Sequence, residues 1–114
     1  MVKNPKFQIT LGKNDEFYFS LSARNGEKIL SGQGYSSKAN CKNGIESVKK
    51  NSQDDGRFER KEAKDGRTYF TLTATNGQVI GQSQMYKTVQ GRDNGIESVA
   101  KVAPEAPVED TTVE

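Results

Sequence analysis

The residues with the clearest chemical potential lie in a hexapeptide, NGIESV, that occurs at positions 43–48 and again at 94–99. Ser47 is a candidate nucleophile, and Glu46 beside it is a candidate acid or base. A serine nucleophile needs a base to remove its proton. The chain of 114 residues contains no histidine, and no motif with a lysine base is present. We therefore predict that the protein is not an enzyme and that the hexapeptide is a packing element.

The other reactive residue types are isolated. Cys41 is the single cysteine, so it cannot form a disulfide within the chain. It aligns with Arg92 in the repeat described below, so the architecture does not require a thiol at that position. Clustered metal ligands and phosphate-binding glycine loops are absent from the sequence. The sequence Asp54-Asp55-Gly56 reads as a turn. We predict no cofactor and no metal, and the sequence does not identify a partner.

One candidate binding face remains, formed by Tyr18, Arg24, Arg67 and Tyr69. Aromatic side chains on a sheet, beside basic residues, can stack the bases of single-stranded nucleic acids. Two simpler interpretations compete with this one, because the sheet could bury both tyrosines or leave them exposed without a ligand. The sequence favours these simpler interpretations over nucleic-acid binding.

An internal repeat must position all of these residues. A shift of 51 residues superimposes the two hexapeptides without a gap. The same shift aligns Phe7 with Phe58, Tyr18 with Tyr69 and Tyr35 with Tyr86, among others. We interpret the chain as a duplication in which both halves form the same supersecondary unit.

Each unit begins with three predicted strands. The segments YFSLSA (18–23) and YFTLTA (69–74) alternate apolar and polar residues with the period of a strand. Each is followed by Asn-Gly, which predicts a type I′ hairpin turn. The segment FQITL (7–11) predicts a first strand, and its polar counterpart FERKE (58–62) predicts an edge or half-exposed strand.

A helix follows the third strand of each unit. Ile45 and Val48 share one helical face, and Ile96 and Val99 share the equivalent face. Gly44 and Gly95 interrupt these patterns at a cost of about 1 kcal/mol relative to alanine. Two interpretations remain open. A continuous helix passes through the glycine, whose backbone is closely approached, or a shorter helix begins with Asn43 and Asn94 as caps.

Composition bounds the rest of the molecule. The hydrophobic content of 32% and mean hydropathy of −0.85 indicate a thin core. No apolar run approaches the roughly 18 residues of a membrane span, and no signal peptide is apparent. With the single cysteine, these features predict a cytoplasmic protein. We predict one domain over 1–102, with repeats at about 6–52 and 57–102, and a disordered acidic tail over 103–114.

These motifs together resemble the YegP-like family, a bacterial domain of unknown function often found as a tandem pair. The pattern YF-x-L-x-A-x-NG, then I-x(5)-Y, then NGIESVK, carries the resemblance over residues 7–102. FERKE departs from the family pattern, as does Ala100 in place of the lysine found at Lys49. The resemblance implies an α+β fold of two βββα repeats about a pseudo-twofold axis. These would form one folded-over antiparallel sheet packed by two helices. The resemblance assigns no functional residue to this chain.

The function predicted from the sequence is a non-catalytic binding or structural module. The alternative is weak binding of nucleic acid or another polyanion, because the chain up to residue 102 has an excess of basic residues. Paired repeats within one chain predict a monomer, since each repeat supplies the other's partner surface.

Overall fold

The computed structural model describes residues 3–112. It contains two βββα units followed by a short terminal strand. The elements are β1 (Lys6–Leu11), β2 (Phe17–Ser22), β3 (Lys28–Ser31), α1 (Lys38–Asn51), β4 (Phe58–Glu62), β5 (Thr68–Thr73), β6 (Val79–Gln82), α2 (Val89–Val102) and β7 (Val108–Asp110). Single 3-10 turns precede β4 and follow α2. None of the helices in this part of the chain has the length and apolar content needed to span a membrane.

All seven strands form one sheet, in the order β4-β5-β6-β3-β2-β1-β7. The repeats join where β3 pairs with β6, and the register there places Ser31 opposite Gln82. These two positions are separated by 51 residues, the repeat offset, so the pseudo-twofold axis passes between them. The predicted α+β fold with two tandem repeats is confirmed. The sheet is not entirely antiparallel, however, because β7 pairs with β1 in parallel.

Short turns connect the strands within each repeat, and their type differs from the prediction. Gly26 and Gly77 have φ of +85°, but the asparagine before each glycine does not have a positive φ. The amide of Gly26 donates to the carbonyl of Ala23, and Gly77 makes the equivalent bond to Ala74. These are type I turns that end in a left-handed glycine. The predicted type I′ turns are therefore wrong, because only one residue of each turn is left-handed.

Both helices pack on the sheet face that carries Phe19 and Phe70. Because side chains alternate across a strand, Phe19 and Leu21 point to this face, as do Phe70 and Leu72 in the second repeat. These residues are all buried, as are Ile45 and Val48 of α1 and Ile96 and Val99 of α2. Each helix also contacts strands of the other repeat, so the two repeats share one core.

The helices run through the repeated glycines, which confirms the continuous-helix interpretation. Ser37 caps α1 and Thr88 caps α2, each accepting a hydrogen bond from a backbone amide in the first turn. A β-carbon on Gly44 would lie 2.3 Å from Oη of Tyr35, and one on Gly95 would lie 2.3 Å from Oη of Tyr86. The glycines therefore leave room for the tyrosine rings.

The predicted disordered tail is wrong for residues 103–112. Ala103 and Ala106 are buried, and β7 pairs with the outer edge of β1. The ammonium of Lys38 lies 2.8 Å from a carboxylate oxygen of Asp110, and Lys6 pairs with Glu109 at 2.7 Å. Small apolar side chains, strand pairing and ion pairs thus order a segment that lacks large apolar residues. Residues 113 and 114 of the predicted tail lie outside the described residues.

The opposite edge of the sheet is β4, as predicted for FERKE. Phe58 is buried, whereas the four following residues are charged and exposed. Charged side chains on an edge strand oppose pairing with other chains.

Candidate functional site

The sheet face opposite the helices, which we call the open face, carries the candidate site. One row of cross-strand neighbours crosses all seven strands on this face. The row runs Glu59, Thr71, Gln82, Ser31, Ser20, Gln8 and Glu109. Every member is polar. Because residues directly opposite each other point to the same face, the row forms a continuous band of hydroxyl, amide and carboxylate groups.

A groove of about 680 Å³ lies over the middle of this row, where the two repeats meet. Its walls come from the third strands of both repeats and the residues that follow them. The polar lining residues on the two sides are Lys28, Ser31 and Gln33, and Gln82, Ser83 and Gln84. Val79 adds a partly exposed apolar side chain. Because the groove straddles the pseudo-twofold axis, it exists only when both repeats are present.

The polar row contains a buried hydroxyl residue on either side of the groove. Ser20 and Thr71 are equivalent in the two repeats and are at least nine-tenths buried. Oγ1 of Thr71 has no hydrogen-bond partner among the described residues. A buried hydroxyl without a partner is uncommon, so this group can still donate or accept a hydrogen bond beside Gln82.

The two predicted tyrosines do lie on the open face, but they are not close together. Three strand spacings of about 4.8 Å separate β2 from β5. The two strands run in opposite directions, so the tyrosines also lie on opposite sides of the polar row. Tyr18 is half-buried, and its ring packs against the backbone of Gly12 and Gly34. Its hydroxyl accepts a hydrogen bond from Asn14 at 3.0 Å. Tyr69 is also half-buried, directly opposite Lys61.

The two predicted arginines also lie apart. Arg24 sits in the β2–β3 turn, about 20 Å along the strand direction from Tyr18 at roughly 3.3 Å per residue, and it lies against α2. Arg67 is near Tyr69, where its guanidinium pairs with Asp65 at 2.7 Å. The structure therefore does not bring the four predicted residues into one cluster. That binding face stays a prediction only for the pair Arg67 and Tyr69.

The groups that could perform covalent chemistry are engaged or unactivated. Oγ of Ser47 accepts a hydrogen bond from Asn51, and Glu46 forms an ion pair with Lys49 at 3.7 Å. Burial raises the pKa of the Cys41 thiol, and the nearby Asp110 carboxylate raises it further. A raised pKa keeps the thiol protonated and weakly nucleophilic. Among residues 3–112, no cluster of three potential metal ligands occurs.

Sequence reasoning placed Asn43, Gly44, Ile45 and Val48, with their second copies, in the helices, but it missed the central groove. Asn43 and Asn94 are exposed, whereas the glycine, isoleucine and valine positions of both copies are buried. The groove residues Gln33 and Gln84 are identical and aligned by the repeat offset, a signal that could have singled them out. The groove itself could not be found, because it forms where β3 meets β6.

Known proteins share this architecture. The family model of a domain of unknown function, DUF1508, matches residues 13–59 and again residues 63–110. Each match includes the hairpin and helix of one repeat. A UPF0339 protein of Bordetella pertussis is 57% identical over 97 residues, covering 85% of this chain and 87% of that protein. A UPF0339 protein of Pseudomonas aeruginosa is 48% identical, covering 92% and 96%.

Two solved structures are similar over nearly the whole chain. The solution structure of YegP from Escherichia coli, described as a protein of unknown function, has a TM-score of 0.90 at 40% identity and covers 97% of this chain and 96% of its own. The solution structure of a UPF0339 protein from Shewanella oneidensis has a TM-score of 0.87 at 42% identity, with coverage of 92% and 89%.

Proposed function

This chain belongs to the DUF1508 family, and we propose that it is a non-catalytic binding module whose site is the central groove of the open face. The observation that carries the proposal is the polar groove of about 680 Å³ across the pseudo-twofold axis. Binding clefts of small molecules and peptides commonly have volumes of about 300–1,000 Å³. The groove offers hydroxyl and amide groups from both repeats, which suits a polar ligand.

The side chains of the groove favour binding over catalysis. Its one charged lining group is Lys28, and the remaining polar groups are neutral serines and glutamines. Neutral amides and hydroxyls hold a ligand by hydrogen bonds but are poor general acids or bases. The absence of histidine from the whole sequence supports the same conclusion.

We propose further that the module is a monomer and resides in the cytoplasm. In support of a monomer, β3 and β6 pair within one chain, and side chains link the repeats elsewhere. Gln84 donates to Glu27, and Gln53 donates to the carbonyl of Ala100. In support of a cytoplasmic location, the one cysteine is a free, buried thiol.

The test fills the groove with an arginine side chain. In Ser31→Arg the new side chain projects into the groove, whereas in the matched variant Ser36→Arg it lies on an exposed residue outside it. Wild type, Ser31→Arg and Ser36→Arg are recovered from the native cell, and the molecules bound to each are identified by mass spectrometry. We expect Ser31→Arg alone to lose the bound molecules. Identical sets from all three folded proteins would refute the groove as the site.

Polyanion binding is the second candidate, favoured by Lys28 in the groove and by Lys61 opposite Tyr69. Glu59 and Glu109 at the ends of the polar row oppose it. A salt titration of single-stranded DNA binding decides this case, because affinity for a polyanion falls steeply as salt rises. The absence of measurable binding at low salt would remove this candidate.

A further inference from the structure

A second groove lies on the helix side of the molecule, between the β2–β3 turn of the first repeat and α2 of the second. We call it the turn–helix groove. It has a volume of about 450 Å³ and adjoins a smaller cleft of about 220 Å³. Its polar lining residues are Arg24, Asn25, Asn94, Glu97, Ser98 and Lys101.

The polar residues that α2 contributes form one stripe along the helix. Asn94, Glu97, Ser98 and Lys101 are spaced i, i+3, i+4 and i+7, so they share one face. The same four residue types recur at 43, 46, 47 and 50 in α1. Core packing accounts for Gly44, Ile45 and Val48 of the repeated hexapeptide, but it does not account for these polar residues, three of which are exposed in α2.

Internal pairing does not account for the stripe in α2 either. Glu97 and Lys101 have the i, i+4 spacing of a helical ion pair, but they form none, and Arg24 across the groove also has no ion pair within residues 3–112. The equivalent positions in α1 are partly occupied, since Glu46 pairs with Lys49 and Ser47 bonds with Asn51. The sequence explains this difference, because Ala100 and Val102 replace Lys49 and Asn51 in the second repeat.

We propose that the turn–helix groove binds an acidic amphoteric ligand, with one ammonium and two carboxylates, as in an acidic amino acid or a short peptide that begins with an acidic residue. Glu97 complements the ammonium, and Lys101 and Arg24 complement the carboxylates. Asn25, Asn94 and Ser98 provide neutral hydrogen-bonding groups. A simple polyanion fits less well, because the carboxylate of Glu97 would repel it.

This site is distinct from the central groove, which shares none of its lining residues. The α1 stripe provides a matched control within the same molecule. Glu97→Gln removes the carboxylate of the groove. Glu46→Gln makes the same substitution at the equivalent position of the other repeat. Both glutamates are exposed, so neither substitution should disturb the core.

The test is a titration of the full-length protein followed by NMR, with L-glutamate and the tripeptide Glu-Gly-Gly as probes, each with a free or an acetylated amino group. We expect the free-amine forms to shift the backbone amides of 24–25 and 94–101. Acetylation should weaken binding about tenfold, as expected for loss of a charged hydrogen bond. Glu97→Gln should weaken the free-amine forms by about the same factor and leave the acetylated forms unchanged.

The remaining arms decide the source of the ligand and the specificity. Tighter binding of L-glutamate would assign the groove to a free amino acid, and tighter binding of the tripeptide would assign it to a peptide end. Glu46→Gln should bind as wild type does. Equal effects of Glu46→Gln and Glu97→Gln, indifference to acetylation, or no shifts at about 10 mM probe, a limit near the weakest useful affinities, would each overturn the proposal.

Discussion

Replacing Gly44 by alanine tests whether the tyrosine ring dictates the glycine. In an exposed helix interior this substitution stabilises the folded state by about 1 kcal/mol. Here the new β-carbon would lie 2.3 Å from Oη and 2.7 Å from Cζ of Tyr35, and 3.2 Å from Cε2 of Phe19. Carbon atoms pack at about 3.5–4.0 Å, so the tyrosine ring or the helix must move by about 1 Å.

The ring has little room to move, because it stacks on Phe19 with the centroids 6.1 Å apart. Overpacking of this kind costs about 1–3 kcal/mol. With a cost near the upper end, about 3 kcal/mol, and a gain of about 1 kcal/mol, we expect a net destabilisation of about 2 kcal/mol. Gly95→Ala should behave alike, because Tyr86 lies at the same distances within 0.1 Å.

Urea unfolding monitored by circular dichroism measures the effect. Gly91→Ala serves as the control, because it lies in the first turn of α2 and its counterpart Asn40 already carries a β-carbon. We expect that variant to gain up to about 1 kcal/mol. Tyr35→Phe, which removes the closest atom, should recover part of the loss caused by Gly44→Ala. A Gly44→Ala protein at least as stable as wild type, or a loss unchanged in the Tyr35→Phe background, would refute the reasoning.

Three further predictions concern β7, the buried thiol and the axis between the repeats. Hydrogen bonds from Lys38 and then Thr112 lower the pKa of Asp110 to about 2. Because an unfolded aspartate has a pKa of about 3.9, this stabilisation is complete above about pH 4 and is lost toward pH 2. NMR of the β7 amides should show that loss of stabilisation at low pH, and Asp110→Asn should abolish the pH dependence. Cys41 should react with a thiol reagent at least about tenfold more slowly in the native than in the unfolded protein, because it is buried with a raised pKa; equal rates would contradict this. Gly81→Leu should cost about 2 kcal/mol or more in thermal unfolding because its side chain would meet Leu30. The exchange Leu30→Gly/Gly81→Leu should restore part of that stability, and no restoration would contradict the packing described.

The repeat made most of the fold predictable from the sequence. Alternation in 18–23 and 69–74 identified the central strand of each unit, and the offset of 51 residues transferred each strong assignment to its weaker copy. The burial of Phe19 and Phe70 on one face follows directly from that alternation. The alternation is a local pattern, which depends only on residues close together in the chain.

Features that depend on distant residues could not be predicted in the same way. β7 is stabilised by Lys6 and Lys38, which lie far from it in sequence, and by the small residues Ala103 and Ala106. No local pattern marks such a segment as ordered. The four residues of the candidate binding face lie apart for a related reason. Arg24 and Tyr18 are close in sequence, but an extended strand separates them and directs Arg24 toward the helix of the other repeat.

The differences between the repeats also explain why they need each other. Leu30 and Gly81 are equivalent positions near the axis, and a β-carbon on Gly81 would lie 2.8 Å from two carbons of Leu30. Two copies of the first repeat would oppose leucine to leucine, and two copies of the second would leave a void. The repeats are therefore complementary and not interchangeable. Residue differences between the two repeats, which share one fold, also leave Glu97 and Lys101 unpaired in α2 while Glu46 is paired in α1. Once the repeats became complementary at the axis, each could acquire its own surface, so the positions at which they differ are where separate ligands should be sought.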